Sequence, residues 1–263
     1  MIRKYTHLSL FSGVGGLDLA AEAAGFTTVG QVERAEYQRK VLARHWPDVP
    51  RWADIKTLTG KGFYHRTGLR TVDIISGGFP CQPFSKAGKQ RAKDDDRYLW
   101  PEMLRVICEF RPTWVLGENV TGIIDLALDT VLTDLEAAGY AARAFTIPAC
   151  SVGAPHRRNR VAIVAHAVDW GSTLRWDWEL PGITEAAASR DFNSGRTPPA
   201  LEWSRWDNEP GVPRVADGVS DRLDRINCIG NAVVPQQFYP FFAAIMAVIR
   251  YKEEPWQPKT SIP

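Results

Sequence analysis

Apolar residues along this chain fall into short runs, each closed by glycine or a polar turn and followed by a longer stretch with apolar positions three and four apart. The first run, residues 7–11, ends at Ser12-Gly13-Val14-Gly15-Gly16, and residues 17–24 have helical composition closed by Gly25. The order then recurs. Strands are expected over 28–32, just before Ala53, over 72–76 and over 113–117, with helices over 35–45, 99–110 and 126–138; two further strands are expected over 140–147 and 161–165. Such alternation predicts βαβ units: an α/β, doubly wound, mostly parallel sheet with helices on both faces.

The periodicity stops after His166. From there to about Asp224 the chain gains Gly, Pro, Ser and Thr and holds five of its ten tryptophans, Trp170, Trp176, Trp178, Trp203 and Trp206. A small irregular lobe is expected over 166–224. Helical spacing returns over 235–251, where Phe238, Phe241, Phe242, Ile245, Met246 and Ile249 recur at intervals of three and four. That helix should pack back on the first lobe, so that 1–165 and 225–263 form one domain. The last residues, with three prolines after Lys252, are expected to fray.

With 263 residues, 44% apolar and 24% charged, the chain has the composition of a soluble globular protein with one substantial core. Cys81, Cys108, Cys150 and Cys228 are scattered without a Cys-x-x-Cys pair, so neither a disulfide framework nor a metal site is indicated, and a reducing cytoplasm is the expected compartment. No apolar run reaches the roughly 18 residues of a membrane span. The net charge of +2 is polarised: 166–224 holds six arginines and eleven acids, net −5, which leaves +7 on the remainder. Lys86, Lys89, Arg91, Lys93 and Arg97 form one basic cluster, and Arg157, Arg158 and Arg160 another.

Candidate chemistry lies at the strand ends. Gly77-Gly78-Phe79-Pro80-Cys81-Gln82-Pro83 presents one thiol on a glycine-flanked turn at the carboxyl end of a strand, where open α/β sheets keep their chemistry. Gly13, Gly15 and Gly16 let backbone amides and a helix amino end approach a ligand, but their spacing is not that of a dinucleotide fingerprint. Glu33 ends the second strand, where a carboxylate either caps the backbone or accepts hydrogen bonds from ribose hydroxyls; Asp54 is open to the same two readings, as a cap or as a partner for an adenine amino group. Glu118, in Gly117-Glu118-Asn119-Val120, falls on the same rim as Cys81. Alternation along the last strand aims Arg158 and Arg160 at one face, where guanidiniums would lower the thiol pKa and bind a carbonyl.

Together these pieces resemble the DNA (cytosine-5)-methyltransferase family of bacterial and phage type. The resemblance is carried by 11–16, Glu33, Asp54-Ile55, Pro80-Cys81-Gln82, Glu118-Asn119-Val120, Arg158-x-Arg160 and Gly230-Asn231-Ala232-Val233, in the family's order and spacing over about 1–165 and 225–263. It implies a class I, Rossmann-like methyltransferase fold whose irregular lobe at 166–224 is the target-recognition region. It implies S-adenosyl-L-methionine as methyl donor, S-adenosyl-L-homocysteine as product, and a cytosine flipped out of duplex DNA as acceptor.

On that resemblance Cys81 is the nucleophile that adds to C6, Glu118 in its protonated form bonds N3 and the amino group, Arg160 holds the 2-oxo group, and Arg158 supports the site. Phe11, Gly13, Gly15, Gly16, Glu33, Asp54, Ile55, Pro80, Leu99, Asn231 and Ala232 are the cofactor positions. Phe11 is expected to stack on adenine, Leu99 to line its other side, and Asn231 to meet the amino-acid end. Ser85, Lys86, Lys89 and Arg91 are expected to contact DNA phosphates, and Arg175, Arg190, Arg196 and Arg205 to contact guanines. Two positions depart from the family: Arg34 stands where a tryptophan often follows the ribose-binding Glu, and His156 where a glutamine is usual. Duplex DNA, a cognate restriction endonuclease and a monomeric state are the partner expectations. A tRNA cytosine-5 methyltransferase and a non-catalytic DNA-binding homologue are the alternatives.

Overall fold

A computed structural model describes residues 3–81, 98–154, 156–170 and 232–253. Seven strands form a single sheet in the order β3-β2-β1-β4-β5-β7-β6. They are β1 Tyr5–Leu10, β2 Phe26–Val32, β3 Arg51–Trp52, β4 Ile74–Gly78, β5 Trp114–Val120, β6 Tyr140–Ile147 and β7 Arg160–Ala167. The helices are α1 Gly16–Ala23, α2 Glu36–His45, α3 Gly60–Thr67, α4 Trp100–Phe110, α5 Ile123–Leu126, α6 Leu128–Ala137 and α7 Pro235–Glu253.

Strands β1 to β5 are parallel to one another. From β1 the chain winds outward to β2 and β3, then returns to β4 on the other side of β1. The topological switch, and with it the crevice at the carboxyl ends, therefore lies between β1 and β4. Both faces are covered, which is why the strands read as nearly continuous apolar runs. On one face Leu8, Leu10, Ile75, Val115 and Ile163 pack with Phe63, Trp100, Val106, Phe110 and Val131. On the other, Ile74, Trp114, Leu116, Ala162 and Val164 meet Ala20 and Ala21 of α1 and Phe238, Phe242 and Ile245 of α7. The 235–251 helix thus does return to the sheet.

Three features differ from the sequence expectation. Strand β7 runs antiparallel to both β5 and β6. The cause is the 12-residue connection from Ile147 to Arg160, which carries a short 3-10 turn and no crossover helix. Helix α3 was not expected, because two glycines dilute its pattern and only Phe63 is buried. The helix expected over 126–138 begins instead at Leu128, separated from α5 by Ala127 in a non-helical conformation.

Buried polar groups fasten the sheet beneath the rim. His7, wholly buried, meets Thr28 Oγ1 at 3.1 Å and Ser76 Oγ at 2.7 Å, and burial drives its pKa down to about 3, so the ring is neutral. Asp18, also wholly buried, accepts from Ser9 Oγ at 2.9 Å and Gln31 Nε2 at 2.9 Å, joining α1 to β1 and β2. Burial pushes its pKa up to about 6, partly offset by those hydrogen bonds.

Candidate active site

The crevice begins with the glycine loop after β1. Phe11 has φ 53°, a backbone conformation that costs a non-glycine residue energy, and Gly13 and Gly15 follow at 55° and 92°. Gly15 caps α1, and a Cβ there would lie 2.4 Å from the Trp46 ring; a Cβ on Gly16 would lie 2.7 Å from the Val233 carbonyl oxygen. Gly13 has open space above it, so its backbone is free to be approached by a ligand. Glu33, at the end of β2, accepts from Gly13 N at 2.8 Å and Ala35 N at 2.7 Å. Its pKa is raised, chiefly by burial, with these two bonds opposing.

Beside this loop a pocket is lined by Phe11, Val32, Arg34, Ala53, Asp54, Ile55, Lys56 and Leu99. Four expected cofactor positions, Phe11, Asp54, Ile55 and Leu99, are thereby brought together by β1, β3 and the approach to α4. Asp54 also caps the turn after β3 through Lys56 N, at 2.9 Å, so the capping reading and the pocket reading hold at once. Arg34 supplies the wall where the family often has tryptophan. The lining suits a nucleoside base, with an aromatic face and an aspartate edge, and Glu33, outside the lining but next to Arg34, keeps lone pairs after its two backbone bonds.

The second half of the crevice is built by β4, β5 and β7. Cys81 is buried, with its backbone bridged to Tyr98. Pro80 stands just ahead of it and accepts from Leu99 N at 3.3 Å. Glu118 pairs with Gly78 in the sheet, and a Cβ on Gly78 would come within 2.6 Å of Glu118 Oε2. That glycine makes the room the carboxylate occupies. Arg160 Nε meets Glu118 Oε1 at 2.8 Å, both side chains nearly buried.

This pairing depends on the direction of β7. Because β7 is antiparallel, its first residue, Arg160, pairs with Val120 at the carboxyl end of β5. In a parallel strand Arg160 would begin at the opposite rim. Burial raises the Glu118 pKa, while Arg160 and then Arg158 pull it back down.

Two expectations are corrected here. Arg158 does not lie on the strand: its φ is 29°, its Nη2 donates to the Ala232 carbonyl at 2.7 Å, and its own carbonyl accepts from Gln237 Nε2 at 3.0 Å. It therefore ties the 156–160 turn to the start of α7. Nor do the arginines lower the thiol pKa. Cys81 is raised, first by burial and then by the charge of Glu118, because Arg160 is engaged with that carboxylate and Arg158 with Ala232. His156 is exposed. Asn231 and the expected DNA contacts Ser85, Lys86, Lys89, Arg91, Arg175, Arg190, Arg196 and Arg205 lie outside the described residues.

Gly78 and Asn119 stand inside the motifs legible in the sequence, which give neither residue a role of its own. The Gly77-Gly78 pair was a legible sign of close packing; nothing in the sequence shows which way the Asn119 amide turns. Among the described residues no cluster of His, Cys, Asp or Glu is arranged to hold a metal ion, and no helix is long and apolar enough to cross a membrane.

The sheet order, the switch between β1 and β4, the glycine loop with its acidic strand ends and the antiparallel last strands define a class I methyltransferase fold. The model of the C-5 cytosine-specific DNA methylase family matches residues 5–193. The chain is 32% identical over 181 residues to Type II methyltransferase M.NgoMIV of Neisseria gonorrhoeae, covering 66% of this chain and 55% of that protein. It is 34% identical over 201 residues to M.AquIA of Picosynechococcus, covering 70% and 80%. A solved structure of an E. coli prophage protein, put forward as a DNA modification methyltransferase, superposes with a TM-score of 0.55 at 26% identity, over 64% of this chain and 48% of that one. This chain belongs to the C-5 cytosine-specific DNA methylase family. It spans about half the length of the first of these relatives, at 55%.

Proposed function

We propose that the chain transfers a methyl group from S-adenosyl-L-methionine to C5 of a cytosine in duplex DNA. The observation that carries this is the meeting of Cys81, Glu118 and Arg160 at one rim, next to the nucleoside pocket of Phe11, Asp54, Ile55 and Leu99. When bound, the cofactor supplies an electrophilic methyl group. Phe11 would stack on its adenine, Glu33 accept from its ribose, Asp54 and Ile55 meet the base edge, and Gly13, Gly15, Gly16, Asn231 and Ala232 flank the amino-acid end.

Cytosine C5 is too weak a nucleophile to attack a sulfonium unaided, so Cys81 would add to C6, the sulfur giving its electron pair and the ring density moving toward C5. Glu118, whose pKa burial raises against the pull of Arg160, would take up a proton on substrate binding and donate to N3 as charge develops there, and Arg160 would hold the 2-oxo group. C5 would then take the methyl group, and loss of the C5 proton to water would return its electron pair to the C5–C6 double bond and expel the Cys81 thiolate. Arg158 would act by holding the turn that delivers Arg160. Flipping the base costs a few kcal/mol, which phosphate contacts from Ser85, Lys86, Lys89 and Arg91 would offset.

We place the target-recognition region at 166–224 and the catalytic domain at 1–165 and 225–263. An insert of net charge −5 contributes little counterion release, so it would read bases through a few arginines, of which Arg175, Arg190, Arg196 and Arg205 are the candidates. The target is accordingly short, on the order of two to four base pairs. Bisulfite sequencing of DNA from expressing cells should show methylation at such sites; confinement to sites of six or more defined bases would overturn this. A monomer in a prokaryotic or host cytoplasm, with or without a cognate restriction endonuclease, completes the reading.

The test of substrate class is methyl transfer from labelled cofactor to duplex DNA and to tRNA in parallel. Label in DNA is expected. Label in tRNA alone would replace DNA by tRNA as the acceptor, and label in neither would support a non-catalytic DNA-binding homologue.

A further inference from the structure

The Cys81 thiol has a partner that none of the expected roles uses. Asn119, buried at the end of β5, makes three hydrogen bonds through one amide. Its Nδ2 donates to the Phe79 carbonyl at 2.9 Å; its Oδ1 accepts from Val120 N at 3.0 Å and from Cys81 Sγ at 2.8 Å. The two backbone bonds fix which way the amide faces. Turning it over would set Nδ2 against the Val120 N–H and Oδ1 against the Phe79 carbonyl, two like-with-like contacts in a buried place.

The atom presented to the sulfur is therefore an oxygen that can only accept. A thiol satisfies it, whereas a thiolate has no proton to give and would place a negative sulfur against a negative oxygen. Burial acts in the same sense, and the Cys81 backbone N–H opposes it. Glu118 on β5 repels a thiolate, Tyr98 across the backbone bridge is neutral with Asp134 close to it, and both arginines are engaged elsewhere.

We infer that Asn119 is a positioning residue that holds Cys81 as a neutral thiol, so that the nucleophile forms only when the sulfur leaves the amide oxygen. On leaving, the S–H proton passes to solvent water and the sulfur keeps the electron pair. Giving up one hydrogen bond is a cost small enough for substrate binding to supply. The significance for catalysis rests on the methyltransferase reading; the state of the thiol does not, and it can be measured without cofactor or DNA.

The experiment is alkylation of the full chain by iodoacetamide across pH, with each cysteine followed by mass spectrometry and the exposed Cys108 and Cys150 as internal references. In the wild type, Cys81 should react with a midpoint above the ordinary thiol value of about 8.5. Asn119→Ala removes the acceptor and should lower the midpoint by about one unit, so that Cys81 reacts about tenfold faster at neutral pH. Asn119→Asp keeps an acceptor and adds negative charge, so it should raise the midpoint and slow the reaction.

A merely structural Asn119 would let both variants react faster at every pH without moving the midpoint, which would overturn the inference. A wild-type midpoint below the ordinary thiol value would overturn it without any variant. Because no substrate is present, either result leaves the methyltransferase reading to be judged by its own assay.

Discussion

The two sides of the crevice are built by different means. The side proposed for the cofactor, from β1 to β3, is shaped by backbone: positive-φ glycines, a helix packed so closely that a Cβ on Gly16 would sit 2.7 Å from a carbonyl oxygen, and Glu33 bonded to two main-chain amides. The side proposed for catalysis, from β4 to β7, is held by side chains that depend on one another, Arg160 with Glu118 and Asn119 with Cys81. Shape dominates the first and protonation the second. Substitutions should therefore separate cofactor affinity from chemical rate.

The largest expected effect is on the catalytic side. Arg160→Ala leaves Glu118 buried without its ion-pair partner and should cost about 3–5 kcal/mol of stability, read by denaturant unfolding, along with a fall of about 10²–10³ in methyl transfer. Cofactor affinity, measured by calorimetry, should change less than twofold. An equal loss of cofactor affinity would erase the distinction between the two sides.

Next comes Asp18, on the cofactor side. Its folded pKa of about 6 lies above the ordinary carboxylate value of about 3.9, so the folded state holds more protons between those values and stability falls as pH rises through that window. The loss is about 3 kcal/mol and is complete above pH 6. Asp18→Asn should abolish this component. His7 works in the opposite sense, its pKa of about 3 making stability rise with pH up to about 6.5, so the Asp18 component is read as the difference between wild-type and variant unfolding curves.

A matched glycine pair sharpens the comparison further. Gly78→Ala would intrude on Glu118 Oε2 and should reduce the chemical rate about 10- to 100-fold with cofactor binding intact, whereas Gly16→Ala should weaken cofactor binding by a similar factor. Titration calorimetry and single-turnover methylation separate the two outcomes. The smallest effect lies away from both: Tyr140→Phe removes the bond to the Pro112 carbonyl and should cost about 1 kcal/mol of stability with activity unchanged.

What could be read in advance follows the same division. Glycine loops, strand ends and the apolar runs of a doubly covered sheet are local patterns, so the position of every strand was legible from composition and spacing. Strand direction was not, because Val161-Ala162-Ile163-Val164-Ala165 reads the same either way. Only the absence of a helix between Ile147 and Arg160 signals the reversal that carries Arg160 to Glu118. Arg158 was misplaced for a related reason: alternation applies within a strand, and the strand begins two residues later. The polar groups of His7 and Asp18 sit inside apolar patterns, and their buried partners, Thr28, Ser76, Ser9 and Gln31, come from other elements. No local pattern reports such pairings.

The central claim is that Cys81 forms a covalent bond to cytosine C6 with Glu118 and Arg160 as its supports. It is tested most directly by incubating the full chain with S-adenosyl-L-methionine and duplex DNA containing 5-fluorocytosine, where the C5 proton needed for release is replaced by fluorine. A denaturation-resistant adduct should form with the wild type, slow by about 10²–10³ with Glu118→Gln, and vanish with Cys81→Ala. An adduct that persists in Cys81→Ala, or none in a wild type that methylates DNA, would contradict the account.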